Sequence, residues 1–348
     1  MHPDGNPATG SLAAVLKSLT SGPRARSAVF VLVLGVLLWG VVSGASARAA
    51  TTSRSSPSQG SQIVESGARR ENPLTIPKAV VLGVVEGLTE YLPVSSTGHL
   101  LVVERLIGLD DEADKSATDT FTIAIQIGAI LAVLGIFRHR FVVMAEGLVG
   151  RSAEGRNLVL CLIIAFVPAG IIAKLFDDAI KDHLLRPWPV VVTWAVGGLV
   201  ILVFVRFQDR WTKVRTTQLG AITTRQAAII GIAQVLAFIP GTSRSLVTLL
   251  AGLLVGLSLT VAVEFAFLLG FVTLGVATGY ELITNGSELF DRFGVVSPVI
   301  GIIVAGIAAF ASVKWMITYL ERHPLTIFGW YRLGIAAVVA VLLATGAI

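Results

Sequence analysis

Few side chains in this 348-residue chain are equipped for chemistry, and they gather in two short stretches. In the first, Glu86 and Glu90 stand four positions apart, a spacing that puts both carboxylates on one face of a helix. Two carboxylates facing a cavity suit a divalent cation or a shared proton; on a solvated helix face they would do neither. Directly after them, Pro93-Val-Ser-Ser-Thr-Gly-His99 collects the hydroxyls of Ser95, Ser96 and Thr97 beside the imidazole of His99. Hydroxyls there serve a helix N-terminus either as simple caps or as donors to an anion seated on its free N–H groups. The second stretch reads Pro240-Gly-Thr-Ser-Arg-Ser245, with Thr248 beyond. Arg244 flanked by Ser243 and Ser245 has the donors of a phosphate site: a guanidinium fork, hydroxyls and backbone N–H groups. Its alternatives are snorkelling to the interface or pairing with a glutamate. Gln126, in the middle of an apolar segment, is a further polar group able to face the same cavity. Carboxylates, hydroxyls, an imidazole and a guanidinium together describe a phosphorylated ligand; an apolar cargo needs none of them.

The elements that must carry these groups are membrane elements. The chain is 54% hydrophobic and 14% charged, against about 25% charged in an ordinary soluble domain. That leaves too little polar surface for a water-soluble globule, and excludes a cytosolic enzyme, a disordered chain or a nucleic-acid binder. Segments 120–137, 157–173, 188–205, 260–280, 294–313 and 325–348 are each apolar and long enough to span a bilayer as a helix. Three loops are basic (Arg138 to Arg156, Arg206 to Arg225, Lys314 to Arg322), and they alternate with acidic or balanced ones. The net charge of +5 is thus a matter of topology, with the basic loops in the cytoplasm. Cys161 is the single cysteine, so neither a disulfide framework nor a cysteine metal site is available.

Two segments, 77–108 and 226–256, are too long for one span and are interrupted near the middle by Pro and Gly. Loop parity requires each to return to the side it entered from. They are expected to be re-entrant pairs of half-helices, tolerated only where buried or lining a wet cavity. The predicted fold is an all-α integral membrane protein with an inverted-topology repeat, each repeat a re-entrant hairpin plus three transmembrane helices. Residues 77–205 form repeat one and residues 226–348 repeat two. Val81-Leu-Gly-Val-Val-Glu-Gly-Leu aligns with Ile229-Ile-Gly-Ile-Ala-Gln-Val-Leu, and, after a one-residue gap, Pro93-Val-Ser-Ser with Pro240-Gly-Thr-Ser. This pairs Glu86 with Gln234 and Ser96 with Ser243, and puts the working site at the midplane between the breaks. Residues 1–76 read as an extension: a basic start, a signal peptide or anchor over 28–47, then a polar linker over 48–76.

With these residues in view, the stretch Val81-Leu-Gly-Val-Val-Glu-Gly-Leu-Thr-Glu-Tyr-Leu-Pro-Val-Ser-Ser-Thr-Gly-His-Leu100 resembles the first signature of the undecaprenyl-diphosphate phosphatase (bacitracin-resistance) family. Pro240-Gly-Thr-Ser-Arg-Ser245 resembles the second, and Ile125-Gln-Ile-Gly-Ala-Ile-Leu-Ala-Val133 and Leu162-Ile-Ile-Ala-Phe-Val-Pro-Ala-Gly170 add support. The resemblance implies a bacterial inner-membrane enzyme that removes one phosphate from the C55 isoprenyl diphosphate carrier lipid. That step recycles the carrier for peptidoglycan synthesis and confers bacitracin resistance, from a site opening to the outer face. It implies a divalent cation, Mg or Ca, on Glu86 and Glu90. Ser96, His99, Glu90 and Arg244 would be catalytic, with Ser96 or His99 as nucleophile, and Ser95, Thr97, Ser243, Ser245, Thr248 and Gln126 would bind the diphosphate. Two positions depart from the family pattern: Leu246 replaces the usual glycine, and Phe265-Ala266-Phe267 replaces Phe-Ser-Phe. The partners expected are the polyprenyl diphosphate and the bilayer, with no nucleic acid; a homodimer stays open. The rival reading is a transporter or flippase for a phosphorylated lipid using the same inverted repeats.

Overall fold

A computed structural model of the protein describes residues 72–111, 113–184 and 187–348, with side chains 176–184 outside the description. The extension through residue 71, with its signal-peptide or anchor segment, lies outside the described residues. Eleven α-helices follow among the described residues: α1 Ile76–Thr89, α2 Ser96–Leu106, α3 Lys115–Ile136, α4 Arg138–Leu148, α5 Ala153–Leu184, α6 Pro187–Trp211, α7 Thr224–Gln234, α8 Arg244–Leu254, α9 Leu259–Phe293, α10 Val296–Leu320 and α11 Thr326–Ala344. Six of them (α3, α5, α6, α9, α10, α11) are long and apolar enough to cross a membrane. The protein is an all-α integral membrane protein.

The expected spans are all present and several run longer, because helices continue past the apolar stretch that identifies them. The first basic loop holds a helix that charge alone concealed: α4 packs on α5 by way of Gly147 and Gly155, whose backbones touch. At the other end of the described body, Asn72 and Leu74 belong to the packed structure and not to a linker. Leu74 is fully buried and Asn72 Nδ2 donates to the Phe293 carbonyl at 2.7 Å.

The two long interrupted segments are each a pair of short helices. Pro77 sits in the first turn of α1, where its missing N–H is harmless, and Pro93 prevents the chain from continuing as helix beyond it. In the second segment a capping box between Thr223 and Gln226 starts α7, whose end tightens into a 3-10 turn over Val235–Phe238. Each second half-helix then starts from a serine in the left-handed region: Ser95 at φ 74° before α2 and Ser243 at φ 75° before α8. They are the only non-glycine residues with positive φ among the described ones. Such a conformation costs about 1–3 kcal/mol and persists only where its surroundings impose it. The two serines are 148 positions apart (243 − 95), and so are Glu86 and Gln234 (234 − 86). The two left-handed serines thus share the 148-residue offset of Glu86 and Gln234, one residue away from the offset that pairs Ser96 with Ser243 in the sequence.

α1 lies along α10 with Gly83 against Gly301 and Gly87 against Ala305, numbers rising together, so the two run parallel. The segment leading into α7 runs parallel to α5 in the same way, Ile222 meeting Cys161 and Gly231 meeting Ala165. Helices α3 and α9 are antiparallel, with Thr120 Oγ1 donating to Glu281 and Thr278 Oγ1 to Gln126. So are α6 and α11, where Gly197 meets Arg332 and Leu202 meets Gly329.

Candidate active site

Glu90 is the C-cap of α1, and its backbone N–H still bonds the Glu86 carbonyl at 2.9 Å. It is 8% exposed, and both of its carboxylate oxygens are engaged. One accepts the hydroxyl of Ser96, the first residue of α2, in a short hydrogen bond. The other accepts Nη2 of Arg244, the first residue of α8, at 2.6 Å. A single carboxylate thus joins the two breaks. A charged pair withdrawn from water is tolerable only with such close geometry, since removal of either partner leaves an uncompensated buried charge. Of the sequence alternatives for Arg244, pairing with a glutamate is the one the geometry shows. The guanidinium also stands over the Tyr91 ring, 5.8 Å from its centroid.

Arg244 reaches Glu90 across Gly270 of α9. A Cβ added there would fall 2.0 Å from its Nη1. The obstructing atom ends a flexible side chain, so the helix itself would tolerate a methyl, but the guanidinium would have to leave its place. Gly270→Ala is expected to lower turnover by about 10–100-fold while thermal unfolding of the detergent-solubilised protein shifts by only a few degrees. Wild-type turnover in this variant would show that Arg244 is not held where the reaction needs it.

The remaining hydroxyls of the second break tie the hairpins together. Ser245 Oγ donates to the Leu92 carbonyl at 2.8 Å and lies 3.0 Å from Ser243 Oγ, which in turn accepts the Leu246 amide at 3.3 Å. Thr248 bonds back to the Arg244 carbonyl at 2.8 Å, within its own helix. The departures from the family pattern are accommodated. Leu246 is buried in α8 and Ala266 in α9, where the neighbouring Phe267 packs edge-on against Tyr91 with ring centroids 5.2 Å apart.

His99 lies one turn into α2, and its ring is held on both nitrogens. Nδ1 lies 2.6 Å from the Ser95 carbonyl and Nε2 2.8 Å from the Tyr331 hydroxyl. A carbonyl can only accept, so Nδ1 carries the proton and, in the neutral ring, Nε2 accepts from Tyr331. His99 is therefore tied to its own helix start and to α11, while Ser96 turns to Glu90. Thr97 is exposed, and Gln126 pairs with Thr278 between α3 and α9; neither joins the cluster. Glu86 is fully buried, and neither of its oxygens has a hydrogen-bond partner among the described residues. No group of three or more metal-ligating His, Cys, Asp or Glu side chains occurs among the described residues.

Sequence reasoning missed the outer support of both breaks. Trp194 of α6 donates its indole N–H to the Val94 carbonyl at 3.0 Å, and Thr193 Oγ1 donates to the Pro240 carbonyl at 2.6 Å. Arg332 of α11 is fully buried. A charge in an apolar segment was the available signal.

The chain matches the family model for bacitracin resistance protein BacA over residues 79–338. It is 42% identical to an undecaprenyl-diphosphatase of Sorangium cellulosum over 262 residues, covering 75% of this chain and 84% of that protein. An undecaprenyl-diphosphatase of Methylococcus capsulatus is 43% identical over 265 residues, covering 75% of this chain and 92% of its own length. Undecaprenyl-diphosphatase 2 of Rhodospirillum rubrum is 42% identical over 263 residues, with 75% and 93% covered. With three quarters of its length aligned at this identity and both break motifs inside the matched region, the chain belongs to the bacitracin resistance protein BacA family.

Proposed function

We propose that the protein hydrolyses undecaprenyl diphosphate to undecaprenyl phosphate and inorganic phosphate in the inner membrane of a bacterium, recycling the carrier lipid for envelope synthesis. The observation that carries this reading is the Glu90 carboxylate shared between the Ser96 hydroxyl and the Arg244 guanidinium. It brings a nucleophile, a base and an anion-binding cation into one buried cluster beside a helix N-terminus.

In this mechanism Ser96 Oγ attacks the terminal phosphorus and its proton passes to Glu90. The new O–P bond forms as the bridging P–O bond breaks, and undecaprenyl phosphate leaves. Protonation of Glu90 cancels the charge that held Arg244, so the guanidinium turns to the phosphoryl oxygens as their negative charge builds. Glu90 hands that proton to the departing undecaprenyl phosphate and is then free to take one from the water that attacks the phosphoserine, returning it to Ser96 Oγ as the O–P bond breaks and inorganic phosphate departs. The geometry supports Glu90, not His99, as the immediate base for Ser96, and leaves His99 to hold the Ser95 carbonyl at the start of α2.

A divalent cation fits this donor set through Glu86. Its two oxygens are buried without partners among the described residues, whereas both oxygens of Glu90 are occupied. A buried lone carboxylate requires a compensating positive charge or a proton. When bound there, such a cation would supply charge neutralisation to the diphosphate. The parallel and antiparallel pairing of corresponding helices supports the inverted repeat, and the loop charges support a site opening to the outer face.

Purified protein in detergent is expected to release inorganic phosphate from a C55 isoprenyl diphosphate. Detergent offers no two-sided membrane, so transport alone gives no signal. Absence of phosphate release from every polyprenyl diphosphate tried would overturn the reading.

A further inference from the structure

Arg332 is the one fully buried arginine among the described residues, and no carboxylate accompanies it. Its hydrogen-bond partners among the described residues are backbone carbonyls, reached by Nη1 and Nη2, while its buried Nε has none. Nη1 donates to Pro93 at 3.3 Å, and Nη2 to Gly241 at 2.7 Å and to Thr193 at 3.0 Å. Pro93 and Gly241 are the same position of the two hairpins, 148 apart (241 − 93), each two residues before the left-handed serine. One rigid fork from α11 therefore grips corresponding carbonyls of both breaks. Gly197 of α6 leaves room for it; a Cβ there would lie 2.3 Å from Nη2.

Among the described residues, the other polar links between the hairpins are Arg244 to Glu90 and Ser245 to the Leu92 carbonyl. The first is made of groups that a phosphorylated substrate must recruit, so it is exchanged during the reaction. A carbonyl oxygen has nothing to offer an anion, so the grip of Arg332 on Pro93 and Gly241 has no competitor in the substrate. We propose that Arg332 is a positioning residue: it fixes the separation of the two breaks, and so of Ser96 from Arg244, while their direct link is open. This inference rests on the phosphatase reading above. A displacement of about 1 Å between reacting groups costs about 10²-fold in rate. Arg244 would still bind phosphate, so the loss falls on turnover and not on substrate binding.

The test compares Arg332→Lys and Arg332→Gln with wild type, using phosphate release from C55 diphosphate in detergent. Arg332→Gln is expected to lose about 100-fold in kcat with KM changed less than about 3-fold. Arg332→Lys keeps donors without the planar fork and is expected to fall between it and wild type. Wild-type kcat in Arg332→Gln, or a loss carried mainly by KM, would overturn the proposal. Should that variant fail to fold, Thr193→Val removes the hydroxyl bond to the neighbouring Pro240 carbonyl along with the hydroxyl's contacts to the Pro189 and Val190 carbonyls of its own helix. It is expected to lower kcat about 10-fold at constant KM, and an unchanged kcat would count against the proposal equally. Amide hydrogen exchange in Arg332→Lys separates this inference from the function it rests on. Faster exchange confined to residues 92–98 and 240–246 supports the grip even if the wild type releases no phosphate, whereas unchanged exchange in both breaks overturns it.

Discussion

Ser96→Ala is expected to lower phosphate release from a polyprenyl diphosphate by at least about 10³-fold, because it removes the proposed nucleophile and leaves its surroundings nearly untouched. The deleted hydroxyl donates to Glu90, whose other oxygen remains bound to Arg244. Losing one donor to a carboxylate that keeps its cation costs about 1–3 kcal/mol, so the variant is expected to remain folded. A diphosphate can still be seated on Arg244 and the α2 N-terminus. The signature is therefore a large fall in kcat with substrate binding retained, together with loss of the covalent phosphoserine that trapping of wild-type protein should reveal. Retention of full phosphate release would remove Ser96 from the mechanism and bring forward the second nucleophile that the sequence left open, His99.

Glu90→Gln is expected to act through both of its contacts. The amide has nearly the same shape but does not take the Ser96 proton, which removes a contribution of about 10²–10⁴-fold in rate. It also strips Arg244 of its counter-charge. Breaking a buried pair by neutralising one partner costs about 3–5 kcal/mol, a loss that thermal unfolding in detergent should register. A bound phosphate restores that counter-charge. KM is therefore expected to hold or fall while kcat collapses, and added inorganic phosphate should raise the melting temperature of the variant more than that of wild type. A rise in KM at constant kcat would show that Glu90 serves substrate binding alone.

The two substitutions also separate what was legible in the residue order from what was not. Glu86, Glu90, Ser96, His99 and Arg244 stand out because each is a polar group where apolar ones belong, and such a group at membrane depth is costly unless something compensates it. Their partners follow a different logic. The Ser96–Glu90 and Arg244–Glu90 contacts depend on where two breaks meet, and that depends on how α1 and α8 lie against α9 and α10. Gln126 was a reasonable candidate by polarity, yet the antiparallel crossing of α3 and α9 sets Thr278 opposite it. A register difference of one residue likewise separates Ser95 from Ser96. The left-handed backbone lies at Ser95 and Ser243, which no residue type announces.

By itself, the sequence determined the membrane class, the six spans, the two interrupted segments and the side chains able to do chemistry. Apolar length, loop charge and Pro/Gly interruption are local properties, written in consecutive residues. Only the tertiary structure decided that Glu90 is the shared partner, that His99 looks to Ser95 and Tyr331, and that Arg332 joins the two breaks through Pro93 and Gly241. Those bonds join residues separated by as many as 239 positions. Their acceptors are mostly backbone carbonyls, which every residue carries alike, so no residue type marks them in advance.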